Sequence, residues 1–68
     1  MKLVDLKDLF GKNIFVKLKN GRIFEGVFDS FTWAYDDDDN RESISLESFN
    51  DGLSYMLYLD EIEKIELL

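Results

Sequence analysis

Residues 12 to 28, Lys-Asn-Ile-Phe-Val-Lys-Leu-Lys-Asn-Gly-Arg-Ile-Phe-Glu-Gly-Val-Phe, place two runs of β-branched and aromatic side chains around a Lys-Asn-Gly turn signal. That pattern predicts a β-hairpin. In the first run Ile14, Val16 and Leu18 alternate with Asn13, Phe15 and Lys17, a period of two that turns one set of side chains to a buried face. In the second run Phe24 and Phe28 share a face with Gly26 between them. Glycine inside a strand marks a sharp bend or the close approach of another backbone. A small, strongly curved sheet follows.

Before the hairpin, Leu6, Leu9 and Phe10 fall at i, i+3 and i+4, which predicts a short helix over residues 3 to 10 ended by Gly11. It is too short to be stable undocked. After the turn, a strand is expected over 22 to 34, because Phe31, Trp33 and Tyr35 continue the alternation. The run Asp36-Asp37-Asp38-Asp39-Asn40-Arg41-Glu42 repels itself and reads as a solvated loop. Further strands are expected over 43 to 49 and 53 to 59, joined by Asn50-Asp51-Gly52, and over 62 to 67. Ile62 and the pair Ile65 and Leu67 differ in parity, so a bend or helical turn is expected around Asp60 to Glu63.

At 68 residues the chain reads as a single domain over 1–68, a size that buries only about 60 per cent of its unfolded surface. With no cysteine and no histidine, it has neither a disulfide framework nor the usual soft-metal ligands, so sheet closure or self-association is the expected source of extra stability. No stretch approaches the roughly 18 apolar residues of a membrane span. No apolar run with a cleavage site follows Met1. The expectation is a cytoplasmic protein without a membrane partner. A nucleophile with a matched base is also lacking, so no catalytic residue is assigned and the chain is read as a non-enzyme with no cofactor. Asp36, Asp38, Asn40 and Glu47 fall at EF-hand positions, but Arg41 stands where that loop needs glycine, so no metal site is assigned.

The net charge is −7, which opposes indiscriminate binding to polyanions. It is unevenly spread. Residues 1 to 26 carry six cations against three acids, or +3, and residues 27 to 68 carry two cations against twelve acids, or −10. Lys17, Lys19 and Arg22 on the hairpin, if gathered on one face, would attract a polyanion locally; otherwise they form an ordinary solvated surface.

The order Val16-Lys17-Leu18-Lys19-Asn20-Gly21-Arg22, followed by Phe24, Gly26, Phe28 and Phe31, resembles the first motif of the Sm-like (LSm) family. The resemblance implies a five-stranded barrel behind a helix and a homo-oligomeric ring in which the fourth strand of one copy pairs with the fifth of the next. It also implies a uridine pocket built from two loops. The positions that should hold Asp, a hydrophobic residue and Asn are Thr32, Tyr35 and Asp36. Two of those three depart from the motif. The last inter-strand junction reads Tyr58-Leu59-Asp60-Glu61, where the family carries Arg-Gly or, in its bacterial type, Tyr-Lys-His.

The sequence therefore predicts an all-β, five-stranded, strongly bent antiparallel barrel of Sm-like or SH3-like type with an N-terminal helix, the alternative being a small β-sandwich or another barrel with that strand count. Candidate RNA contacts are Lys17, Lys19, Arg22, Thr32, Trp33, Tyr35 and Asp36. Trp33 and Tyr35 are offered as stacking platforms, each worth about 1 to 3 kcal/mol where bases do stack, or as core. Candidate oligomer contacts are Met56, Tyr58, Ile62 and Ile65. Two functions are expected: a ring that binds single-stranded RNA weakly or scaffolds an RNA-protein complex, or an oligomeric module that binds a protein partner and has lost RNA.

Overall fold

Side-chain alternation sets the strands of the computed structural model, which describes residues 1–68. A 3₁₀ helix (Leu3–Leu9) leads into β1 (Asn13–Leu18) and β2 (Ile23–Thr32). After a single 3₁₀ turn (Ala34–Asp36) come β3 (Ser43–Ser48), β4 (Ser54–Tyr58), a second turn (Leu59–Glu61) and β5 (Ile62–Leu67). All five strands are antiparallel in one sheet of order β4-β3-β2-β1-β5. The small all-β fold is thus as expected. No helix is long and apolar enough to cross a membrane.

The hairpin closes through a three-residue loop, Lys19 to Gly21. The Leu18 N–H donates to the Arg22 carbonyl at 2.8 Å, and Gly21 takes a φ of 91°. Asn20 Oδ1 accepts from the Arg22 N–H at 3.0 Å, the local bonding that favours asparagine in turns. Gly26 lies opposite Ser48, and a β-carbon there would collide with the carbonyl oxygen of Glu47. Glycine lets β3 press against β2 at the point of curvature.

Two bulges then correct the parity of the strands. In β2 the register passes from Phe28↔Leu46 to Ser30↔Ser45, leaving Asp29 unpaired and returning Phe31, opposite Ile44, to the side that Phe28 occupies. In β5 it passes from Lys17↔Lys64 to Leu18↔Ile62, leaving out Glu63. Ile62 is therefore buried and Ile65 packs on the core from the same strand. A bulge has this effect because one extra residue reverses the alternation. The expected turn before β5 is present at Leu59–Glu61, but the turn alone does not account for the parity.

Ile14, Val16, Phe28, Ile44 and Leu46 fill the core. The helix differs from expectation. In a 3₁₀ helix residues i and i+3 eclipse, so Leu3, Leu6 and Leu9 dock on the sheet, while Phe10 leaves that face and is 48% exposed. Its ring meets Phe28 and Phe31 edge to face, with centroids 5.4 and 5.5 Å apart. β2 stops at Thr32, short of residue 34, and Leu53 lies outside β4 and is exposed. β4 and β5 are each paired on one side only. The turn between them is held at both ends: Leu59 N–H donates to the Glu42 carbonyl at 3.0 Å and Lys19 N–H to the Glu61 carbonyl at 2.8 Å.

Candidate functional site

The connector from Trp33 to Glu42 runs past two concavities. The first is a cleft of about 570 Å³ between this connector, Lys19 of the hairpin loop and the Leu59–Glu61 turn. Arg41 closes it. Its Nε and Nη2 donate to the two carboxylate oxygens of Asp60 at 2.9 and 2.7 Å, and Nη2 lies 3.6 Å from Glu61. The guanidinium also stands 3.6 Å from the centre of the Tyr58 ring. A planar cation suits this double task, since it bonds a carboxylate in parallel and stacks on an aromatic face.

The electrostatics follow the geometry. Hydrogen bonds from Arg41 hold the Asp60 carboxyl below its ordinary value, with Lys19 adding to the effect. The Arg41 guanidinium is raised in turn, chiefly by its bond to Asp60. Desolvation, with Asp37 and Asp39 nearby, pushes the Tyr58 phenol up. Asp37 shapes the loop itself, since its Oδ2 accepts from the N–H groups of Asp39 and Arg41, each at 3.1 Å. No group of three or more acidic side chains is arranged to hold a metal ion.

The second concavity is a groove of about 190 Å³ lined by Leu3, Lys7, Phe10, Phe28, Phe31 and Trp33. Apart from the Lys7 amine and the Trp33 indole it offers no polar side chain. Phe31 and Trp33 meet edge to face at 5.6 Å, and Trp33 packs against the core. A third hollow, of about 500 Å³, lies between the start of β2 and the β3–β4 turn. There Arg22 stands 5.1 Å from the Phe24 ring centre, and the Tyr55 hydroxyl donates to Asp51. That bond holds Asp51 low and Tyr55 high.

The residues expected to contact RNA are not brought together. Lys17 is engaged by Glu63 at 3.3 Å, Lys19 lines the cleft, and Arg22 lines the third hollow. Thr32 is half-buried at the end of β2, opposite Ser43. Trp33 forms a wall of the groove, whereas Tyr35 and Asp36 project into solvent, Tyr35 being 79% exposed. Of the residues expected at an oligomer contact, Ile62 is buried in the core and Ile65 is packed against it. Tyr58 lies beneath Arg41, and Met56 is exposed on the edge strand β4. The exposed apolar residue of β5 is Leu67.

Arg41, Phe10 and Phe31 are the residues that sequence reasoning left unassigned. One signal for Arg41 was present: it is the sole cation between Glu25 and Lys64. Phe10 gave no usable signal, because helical spacing placed it in the core. Against family models, curated proteins and solved structures alike, the chain finds no match.

Proposed function

We propose that the protein is a divergent Sm-like barrel that acts in the cytoplasm as a non-catalytic, self-associating protein-interaction module without the uridine reading of that family. The observation that carries this is the Arg41 clamp. Where the resemblance puts a pocket between two loops, the one arginine at hand is committed to Asp60, Glu61 and Tyr58. Lys17 is likewise engaged, by Glu63. Cations already paired within the chain contribute little to neutralising phosphates, from which affinity for nucleic acid largely comes.

Two further features support the reading. A helix followed by five antiparallel strands agrees with what the resemblance implies, although fold alone confers no function. The strands β4 and β5 are unpaired edges bearing Met56 and Leu67, and such edges join readily to another chain. We assign the contact to pairing of β4 with β5 of a neighbour, which forms a closed homo-oligomer.

A second reading, weak contact with single-stranded RNA, is favoured by one observation: Lys2, Lys7 and Lys12 have no carboxylate within ion-pair distance. The test is light scattering at about 100 µM, a concentration set against ordinary interface affinities, beside fluorescence anisotropy with oligouridine and oligoadenine at two salt concentrations. An oligomer is expected, and Met56→Glu, which sets a new acid against Glu63 and Glu66 of the neighbour, should remove the strand-edge contact and lower the order of the assembly. RNA binding should be absent or weak, falling with salt by roughly 0.7 log units per log unit for each neutralised phosphate. A monomer, or nanomolar uridine-selective binding, would overturn the proposal.

A further inference from the structure

The aromatic groove and the loop that starts at its wall are complementary to each other. The 3₁₀ helix places Val4 and Lys7 on one exposed stripe, since every third residue eclipses, and Phe10 follows as the residue that ends it. Lys7 reaches the groove lined by Phe10, Phe28, Phe31 and Trp33, and no carboxylate pairs with it. Two residues beyond Trp33, Tyr35 presents the most exposed large hydrophobic side chain of the chain, at 79%. Asp36 and Asp38 follow, both exposed and accepting no hydrogen bond within the fold.

Copies of a chain with net charge −7 repel one another, so association on this face needs opposite charges opposed across it. The groove side supplies Lys7, the one charged residue of its lining, and the loop side supplies the aspartates. The lining also discriminates among occupants. A nucleobase needs hydrogen-bond partners at its edges for recognition, and the groove has almost none. A tyrosine ring offers an apolar body with one polar tip. Because groove and tyrosine are neighbours along the chain, a two-fold axis beside Trp33 sets each Tyr35 over the other copy's groove, the self-complementary geometry of a symmetric dimer.

We propose that this face binds a second copy of the chain: Tyr35 of each protomer fills the groove formed by Phe10, Phe31 and Trp33 of its partner, and Asp36 faces Lys7 across the two-fold axis. The contact is separate from strand-edge pairing, so the assembly has two distinct interfaces.

Sedimentation equilibrium, combined with emission from Trp33, the one tryptophan, tests it. Tyr35, Asp36 and Lys7 are all exposed, so the variants keep the fold, which circular dichroism checks. In a Met56→Glu background, which removes edge pairing, a dimer is expected, with Trp33 emission shifting as it forms. Tyr35→Ala and Lys7→Glu should each raise the dimer dissociation constant at least about tenfold, equal to about 1.4 kcal/mol. Lys7→Glu combined with Asp36→Lys should restore it. Three results would overturn the proposal: a Met56→Glu protein that is monomeric with invariant Trp33 emission, a dimer indifferent to both single substitutions, or a monomer whose Trp33 responds instead to oligouridine or to an acidic peptide. Loss of edge pairing alone leaves the first set of expectations intact, so failure of the two readings is told apart.

Discussion

The cleft and the groove lie at opposite ends of one connector, and they meet their needs differently. At the Arg41 end the lining carries charges, and Arg41 finds Asp60 and Glu61 within the chain. At the Trp33 end the lining is apolar, and no side chain of the same chain fills the space. A charge can be satisfied by one flexible partner a few ångströms away. An apolar hollow is satisfied only by volume, and a 68-residue chain has little to spare. The larger concavity thus has its arginine already committed, whereas the smaller one has an unfilled apolar lining.

Removing the floor of the groove should break this contrast most severely. Phe28 is 1% exposed and supports Phe10 edge to face, so Phe28→Ala should cost about 3 to 5 kcal/mol, read from urea unfolding. Ser43 is paired with Thr32 on one side and Tyr58 on the other, joining the two regions through β3. Its hydroxyl is buried without a hydrogen-bond partner. Ser43→Ala should therefore stabilise the protein by about 1 kcal/mol, since an unsatisfied buried hydroxyl is removed; a loss of stability would show that the hydroxyl has a partner.

Opening the cleft should do least to stability, because the Arg41 clamp is solvent-facing and such pairs are screened. Arg41→Ala should displace the urea midpoint far less than Phe28→Ala. Its signature is in pH dependence. Asp60 is depressed from its ordinary 3.8 by Arg41, so its contribution is complete above pH 3.8 and is lost as pH falls through the lower folded value. In Arg41→Ala, the Asp60 carboxyl followed by carbon-detected NMR should titrate at a higher pH than in the parent protein. Unchanged titration would mean that the guanidinium does not hold the carboxylate in solution.

The hairpin was legible because backbone rules write it: alternation, Asn20-Gly21, and Gly26 where a β-carbon has no room. Strand bounds elsewhere were legible within a few residues for the same reason. The bulges at Asp29 and Glu63 were not, since an unpaired residue is defined by its partner strand. The helix type misled in a specific way, because 3.6-residue spacing buries Phe10 and three-residue spacing frees it. Lys17, Lys19 and Arg22 are close in sequence but a hairpin sends them toward three different neighbours. The clamp joins residues 41 and 60 through side chains alone, and no local pattern encodes that.

The placement of β5 has a kinetic consequence. The β1–β2, β2–β3 and β3–β4 pairings join strands adjacent in sequence, whereas β1 meets β5 across nearly the whole chain, as in Ile14↔Leu67. Loop closure on that scale is slow and follows the local pairings. β5 is accordingly expected to be the last strand to pair, and during folding its amides should gain protection from solvent exchange after those in β2 and β3. While it is open, the edge of β1 is exposed, and a β5 from another molecule fits there as well as its own, which makes strand exchange a route by which concentrated protein forms swapped species.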